Sequence, residues 1–235
     1  MHERLMVVFS GAGLSAESGL PTFRAADGLW QNHKIEDVAT PEGFNRDPKL
    51  VLDFYAARLK ACQAAAPNAA HLAIARLQER YEVVNFTQNV DDLLERAGCM
   101  QVYHLHGSLF RRRCVNCEYV ADQAAPVAID DYCPQCTAQL RPDVVWFGEP
   151  VRMPSRTQIA RMVSRMMTNL GVVICVGTSL QVYPAARLVT AFARFRRKYA
   201  INPDPVRPPG FTLLQGPAGR QMDVLVEALE RGNCL

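Results

Sequence analysis

The chain has 235 residues, enough for one domain of ordinary size or one domain with a small insert, and its 49% apolar content supplies a buried core. Twenty-six basic against 23 acidic side chains leave a net charge of only +3, which excludes the strongly basic footprint of a dedicated nucleic-acid binder. No apolar run approaches the ~20 residues of a membrane span, and the stretch Leu5 to Phe9 is too short for a secretory signal core, so a soluble, cytoplasmic protein is expected, with no nucleic-acid or membrane partner.

Leu5–Ser10 is a continuous apolar run of the kind that forms a parallel strand buried on both faces. It leads into Gly11-Ala12-Gly13-Leu14-Ser15-Ala16, which fits the G-x-G-x-x-G/A pattern. There, glycines let backbone amides approach a pyrophosphate near a helix N-terminus. The acidic residue that usually closes a second strand about 20 residues later is missing, because Asp27 and Glu36 stand in no strand pattern. The motif reads either as a dinucleotide loop of unorthodox type or as a plain Gly-rich turn. Residues 24 to 66 are too long for one crossover and contain the helical stretch Pro48–Ala65, so a helical insert is expected at about 31–66. A further helix is expected over Asn68–Arg80, before a second buried strand, Glu82–Thr87. That strand ends in Thr87-Gln88-Asn89-Val90-Asp91. These polar side chains would meet a ligand at the carboxyl edge of a parallel sheet, or cap the helix expected at Asp91–Ala97.

Met100–Leu105 reads as a third strand and delivers His104 and His106. Histidine titrates near neutrality and suits general acid–base work. If the strand continued, both rings would share a face, so a metal-binding pair competes with a general base and with two ordinary strand-end histidines. Cys114-x-x-Cys117 and Cys133-Pro134-Gln135-Cys136 are separated by fifteen residues. Two such turns suit tetrahedral zinc, and four thiolates close its shell, which makes the site structural. The other four cysteines are scattered singly, unlike a secreted disulfide framework. Arg111-Arg112-Arg113 beside the quartet reads as a solvated face. Helices are expected over Ser155–Asn169, Pro184–Arg197 and Ala218–Arg231, and strands over Val172–Val176, Tyr199–Asn202 and Phe211–Leu214. Gly177-Thr178-Ser179 and Asn202 form further polar strand ends on the same edge. The alternation predicts an α/β fold, a Rossmann-like doubly wound parallel sheet, with a small four-cysteine zinc-binding module at about 110–142 and the helical insert. The body of the fold then spans about 1–30, 67–109 and 143–235.

Gly11 to Arg24, read as Gly-Ala-Gly-Leu-Ser-Ala-Glu-Ser-Gly-Leu-Pro-Thr-Phe-Arg, resembles the sirtuin signature. Thr87 to Asp91, His106-Gly107, the cysteine quartet, Val145-Trp146-Phe147-Gly148, Gly177-Thr178-Ser179 and Ile201-Asn202 follow in that family's order, so that the resemblance runs from about residue 5 to 230. Asp92 stands where many members carry glycine. The resemblance implies an NAD-dependent protein-lysine deacylase. NAD would be held by Gly11, Ala12, Gly13, Ala16, Thr22, Phe23, Arg24, Trp30, Gln88, Asn89, Val90, Asp91, Gly177, Thr178, Ser179, Asn202, Pro203, Asp204 and Ala218. It also implies a mechanism without an activated serine or zinc-bound water. The acyl-lysine amide oxygen attacks C1′ of the nicotinamide ribose, nicotinamide leaves, and His106 serves as general base for a ribose hydroxyl. Asn89 and Asp91 position the reactants, and the product is O-acyl-ADP-ribose. A monomer is expected, with the protein substrate lying as an extended peptide against Val145, Trp146, Phe147 and Gly148. Tyr55 and Arg58, at i and i+3 of a helix, share a face and by periodicity alone read as a core tyrosine beside a solvated arginine. The resemblance makes them the pair that marks members acting on succinyl- and malonyl-lysine, with Ala39 as a small residue widening the acyl pocket, and removal of acetyl is expected as well.

Other readings of the same residues are a zinc amidohydrolase using His104 and His106, a zinc-ribbon interaction module around Cys114 to Cys136, and a mono-ADP-ribosyltransferase working in the same cleft. Nicotinamide release, salt-dependent DNA binding and transfer of ADP-ribose without an acylated substrate, respectively, separate them.

Overall fold

A computed structural model describes residues 5–22, 29–30, 32–168, 171–179, 188–189, 192, 195 and 197–231. The run Leu5–Ser10 forms β1, buried along its whole length. Its alternate side chains serve two cores: Met6 and Val8 pack with Ile174, Ile201, Met222 and Leu225, while Leu5, Val7 and Phe9 pack with Phe86, Val173 and Cys175. Both faces are therefore covered, as an all-parallel sheet requires. Five further strands complete that sheet: β4 (Glu82–Thr87), β5 (Val102–His104), β9 (Val172–Val176), β10 (Arg197–Asn202) and β11 (Thr212–Gln215). Their order is β11-β10-β9-β1-β4-β5, every pairing being parallel. Chain order reverses at β1, between β9 and β4, and the carboxyl ends of these three strands form the crevice where doubly wound sheets bind ligands.

The helices around the sheet are set by caps. Asn68 caps α4 (Ala69–Leu77), accepting from the amides of Ala70 and His71, while His71 Nδ1 accepts from the Asn68 amide. This reciprocal box starts the helix one residue later than expected. α5 is only Leu93–Arg96, because the Asp91 carboxylate accepts from the Leu93 amide and holds 91–92 in a turn. α6 (Arg156–Thr168) places Ile159, Met162 and Val163 on the sheet, and α7 (Ala218–Glu230) packs on α4.

Strand bounds also shift. β5 omits Met100, Gln101 and Leu105 from the expected strand. β10 begins at Arg197, since Arg197 and Lys198 pair with Val172 and Val173. Arg197, expected to close a helix over Pro184–Arg197, thus stands in a strand, and most of the rest of that span lies outside the described residues. β11 slides to Thr212–Gln215 to pair with Tyr199–Asn202.

The segment between β1 and β4 holds a short hairpin, β2 (Leu29–Trp30) with β3 (His33–Lys34), and then α1 (Ile35–Val38), α2 (Pro41–Arg46) and α3 (Pro48–Ala64). Thr40 and Asp47 cap α2 and α3, each followed by proline at the first helical position, where a missing N–H costs nothing. Beyond β5 the chain builds a second, antiparallel sheet, β7-β6-β8, from β6 (Gly107–Cys114), β7 (Val120–Asp122) and β8 (Leu140–Val144). It shares one core with the short helices, in which Phe44, Phe54, Tyr55, Leu109, Leu140 and Trp146 are buried together. The crevice lies between this core and the parallel sheet.

Candidate functional site

A cavity of about 550 Å³ opens at the carboxyl ends of β1, β4 and β9, within the range of small-molecule sites. On one side the chain leaves β1 in two 3-10 turns, Ala12–Leu14 and Ala16–Ser18. The Gly13 amide donates to Gly177 O at 2.8 Å, and a Cβ on Gly13 would stand 2.7 Å from the Gly177 Cα. The glycines thus let the loops after β1 and β9 touch. The amides of Ala12 and Ser179 donate to no group among the described residues, leaving donors of the kind a pyrophosphate takes. Glu17 accepts from the Gly219 amide at 2.9 Å, tying the first loop to α7 beside Ala218. Asn202 donates to Thr178 O and accepts from the Asp204 amide, and Gln88 donates to Thr178 Oγ1. These residues could hold a dinucleotide. The chemistry of the donor set fits NAD without the usual acidic residue after the second strand.

Deeper in the cavity, Asn89 Nδ2 donates to Ser15 Oγ at 3.0 Å, and Ser15 Oγ donates to Asp91 Oδ2 at 3.0 Å. All three side chains are buried. Burial pushes the Asp91 carboxyl up, opposed by the Leu93 amide and the Ser15 hydroxyl. The carboxylate thus both orders the polar cluster and starts α5, so the two sequence readings of Asp91 coexist. The two histidines part company. His106 lines the cavity with Nδ1 3.0 Å from the Gln88 carbonyl. A carbonyl only accepts, so Nδ1 carries the proton and Nε2 keeps its lone pair. Burial lowers the His106 pKa, partly opposed by that carbonyl, which leaves a neutral ring able to take a proton. His104 instead bridges the Asn89 carbonyl at 3.0 Å and Glu95 at 2.6 Å. Burial works against its charged form, yet Glu95 raises its pKa on balance. It does not line the cavity, so the two rings form no metal pair.

The opposite wall comes from α3 and the segment after β8. Tyr55 is buried and accepts from Trp146 Nε1 at 3.1 Å. Arg58 lies one turn on, its guanidinium carbon 4.2 Å from the Trp30 ring centroid. Its buried Nε has no hydrogen-bond partner, and the side chain has no carboxylate partner among the described residues. Burial pulls its pKa below the ordinary value, opposed by Tyr55, Cys62 and Asp91. Arg58 is thus not the solvated residue that periodicity suggests. Ala39 accepts from the Phe147 amide, and His106 O accepts from the Val145 amide, each at 2.9 Å. The Val145 carbonyl and Gly148 amide have no partner among the described residues.

The cavity gathers Gly11, Ala12, Gly13, Ala16, Thr22, Trp30, Ala39, Tyr55, Arg58, Gln88, Asn89, Val90, Asp91, His106, Val145, Trp146, Phe147, Gly148, Gly177, Thr178, Ser179, Asn202, Pro203, Asp204 and Ala218 on one surface. Phe23 and Arg24 lie outside the described residues. Ser15, Glu17, Cys62 and Glu149 also line it and were not singled out from sequence. Ser15 sits inside the Gly-rich motif and Cys62 is at i+4 from Arg58, so both had a positional signal, whereas Glu149 had none.

Cys114, Cys117, Cys133 and Cys136 bring their sulfurs within 4.8 Å of one another, away from the cavity. Sγ–Sγ separations of 3.4, 3.5 and 3.6 Å approach the ~3.8 Å edge of a tetrahedron with ~2.3 Å zinc–sulfur bonds. The amides of Asn116 and Gln135 donate to Cys114 and Cys133 sulfurs, as they do around thiolates. The cluster fits a structural zinc.

The sequence pattern of the Sir2 family matches residues 11–184. An NAD-dependent protein deacylase of Pyrococcus furiosus is 41% identical, covering 97% of this chain and 94% of its own. One from Escherichia coli strain K12 is 44% identical, covering 99% of this chain and 84% of its own. Among solved structures, a Sir2 homologue in complex with ADP-ribose superposes with TM-score 0.85 at 39% identity, over 97% of this chain and 92% of that one. A Sir2 homologue–NAD complex superposes with TM-score 0.80, over 97% and 90%. With likeness of this kind along nearly its whole length, the chain belongs to the Sir2 family.

Proposed function

We propose that this chain is an NAD-dependent protein deacylase that removes acetyl, succinyl and malonyl groups from lysine, releasing nicotinamide and O-acyl-ADP-ribose. NAD supplies the activated glycosidic bond and the ribose that accepts the acyl group. His106 takes the proton of a ribose hydroxyl on Nε2, its Nδ1–H being occupied by Gln88. Ser15, Asn89 and Asp91 hold the reacting groups in place through a network already formed. The substrate peptide lies extended against 145–148, where the Val145 carbonyl and Gly148 amide await strand-like partners. The enzyme works as a cytoplasmic monomer, and its zinc supports the second sheet without touching substrate. A solved relative of 31% identity and TM-score 0.69 carries a myristoylated histone peptide, in keeping with acylated peptide as the substrate class.

The observation that carries the choice of acyl group is Arg58. A partly buried guanidinium without a carboxylate partner is costly, and Arg58 lines the same cavity as Ala39 and Tyr55. A dicarboxylic acyl chain supplies the missing charge, and guanidinium matches carboxylate with a planar fork. The test is a panel of acetyl-, succinyl- and malonyl-lysine peptides with NAD, run on wild type and Arg58→Met. Desuccinylation should fall by the ~1.5–3 kcal/mol of a charged hydrogen bond, with deacetylation falling less. Equal losses on both substrates would show that Arg58 supports the fold instead of reading the acyl charge.

A further inference from the structure

We propose that Trp146 is a specificity-determining positioning residue, whose indole N–H fixes the Tyr55 hydroxyl as a donor to the carboxylate of a dicarboxylic acyl-lysine. The inference rests on the reading of Arg58 as the counter-charge for that group. Indole nitrogen has a hydrogen to give and no lone pair to accept with. Its 3.1 Å contact with Tyr55 therefore occupies an acceptor site of the phenol. The phenol's own proton finds no acceptor among the described residues. A buried donor without a partner is destabilising, and Tyr55 lines the cavity, so the partner is supplied from there. Burial also pushes the Tyr55 pKa up to about 12, so the phenol remains a proton donor throughout the neutral range.

The indole is held so that it cannot turn away. Trp146 is 3% exposed. The Arg141 guanidinium carbon lies 3.8 Å from its ring centroid, with Phe44 at 5.2 Å. The Trp146 amide donates to Glu149 Oε2 at 2.9 Å, and the other Glu149 oxygen is paired with Arg141. Tyr55 is pinned in turn by the edge-on ring of Phe54 at 5.1 Å. One turn along α3, Arg58 is stacked on Trp30 at 4.2 Å. One wall of the cavity thus carries two donors, a charged planar fork and a neutral hydroxyl. A carboxylate can accept from both, while the methyl of an acetyl group uses neither.

Initial rates are measured for wild type, Trp146→Phe, Tyr55→Phe and the double variant, with acetyl-, succinyl- and neutral succinamoyl-lysine peptides and saturating NAD. Each single substitution should lower the succinyl-to-acetyl ratio of kcat/KM by about tenfold, mainly through KM for the succinyl peptide. The double variant should lower it no further than the worse single, because both remove one coupled donor. Site-specific 3-benzothienylalanine at 146 keeps the ring's shape and removes its N–H, and should reproduce the shift should the phenylalanine variant not fold. A wild type that desuccinylates, with the ratio unchanged by the N–H-free ring or lowered additively in the double variant, overturns this inference alone. A wild type that does not desuccinylate overturns the reading of Arg58 and this inference with it.

Discussion

Replacing His106 with alanine removes the one ring nitrogen that the geometry leaves basic at the cavity among the described residues. Its Nδ1–H is engaged by the Gln88 carbonyl at 3.0 Å, so only Nε2 can take a proton. A positioned general base contributes ~10²–10⁴-fold, or about 2.7–5.5 kcal/mol of barrier. Nicotinamide release and deacylated peptide, followed by chromatography with an acetyl-lysine peptide, should therefore fall by at least two orders of magnitude while the melting temperature changes little. His104→Ala is the control. It loses contacts to the Asn89 carbonyl and Glu95, worth ~1–3 kcal/mol of stability together, but removes no group from the cavity, so it should cost less than tenfold in rate. Burial sets the pH dependence of the wild type. Because the His106 pKa lies below its ordinary 6.5, the base is neutral and competent at pH 7. The acid limb of kcat/KM should then fall below 6.5, where protonation of Nε2 removes it. A near wild-type rate for His106→Ala, or an equal loss for His104→Ala, would refute this assignment.

Three further outcomes are expected. Atomic absorption should find one zinc per chain, and Cys117→Ser should lower the yield of folded protein and the melting temperature, because the metal's binding energy is folding energy. Gly177→Ala should cost about 1–3 kcal/mol in urea unfolding and raise KM for NAD, since its φ is +62° and a Cβ would meet the Leu14 amide nitrogen at 2.2 Å. Burial pulls His71 down to about 4. The unfolded chain then binds that proton more tightly, so stability present above pH 6.5 is lost by up to about 3 kcal/mol as pH falls towards 4. His71→Gln should flatten urea midpoints between pH 7 and 4.

The parallel sheet was legible because its strands announce themselves one at a time. Leu5–Ser10, Glu82–Thr87 and Val172–Val176 carry apolar side chains on both faces, and all three form strands with those bounds. Edges were less legible, because they depend on a neighbour. Arg197 and Lys198 have no apolar signature, yet β9 offers Val172 and Val173 as partners and draws them into β10. The antiparallel sheet has no sequence signature beyond its cysteines. Val120–Asp122 and Leu140–Val144 are short, the latter with arginine, proline and aspartate inside it. That strand exists because Arg141 finds Glu149 and Asp143 finds Arg152 once the chain has folded back.

The site shows the same division between what one segment carries and what two segments make together. Glycine-rich turns, strand-end polar residues and paired cysteines are local, and each has its chemistry written in a few consecutive letters. Arg58 is different. Its helix position alone describes a solvated cation, whereas the hairpin lays Trp30 over it and leaves it a half-buried charge facing a cavity. Tyr55 likewise receives its indole N–H from Trp146, 91 residues away. In the function proposed above, acyl selectivity belongs to the insert and the second sheet packed against each other, and proton transfer to the edge of the parallel sheet. The two meet where the His106 carbonyl takes the Val145 amide. That bond ties the backbone of the proposed base to the segment carrying Trp146.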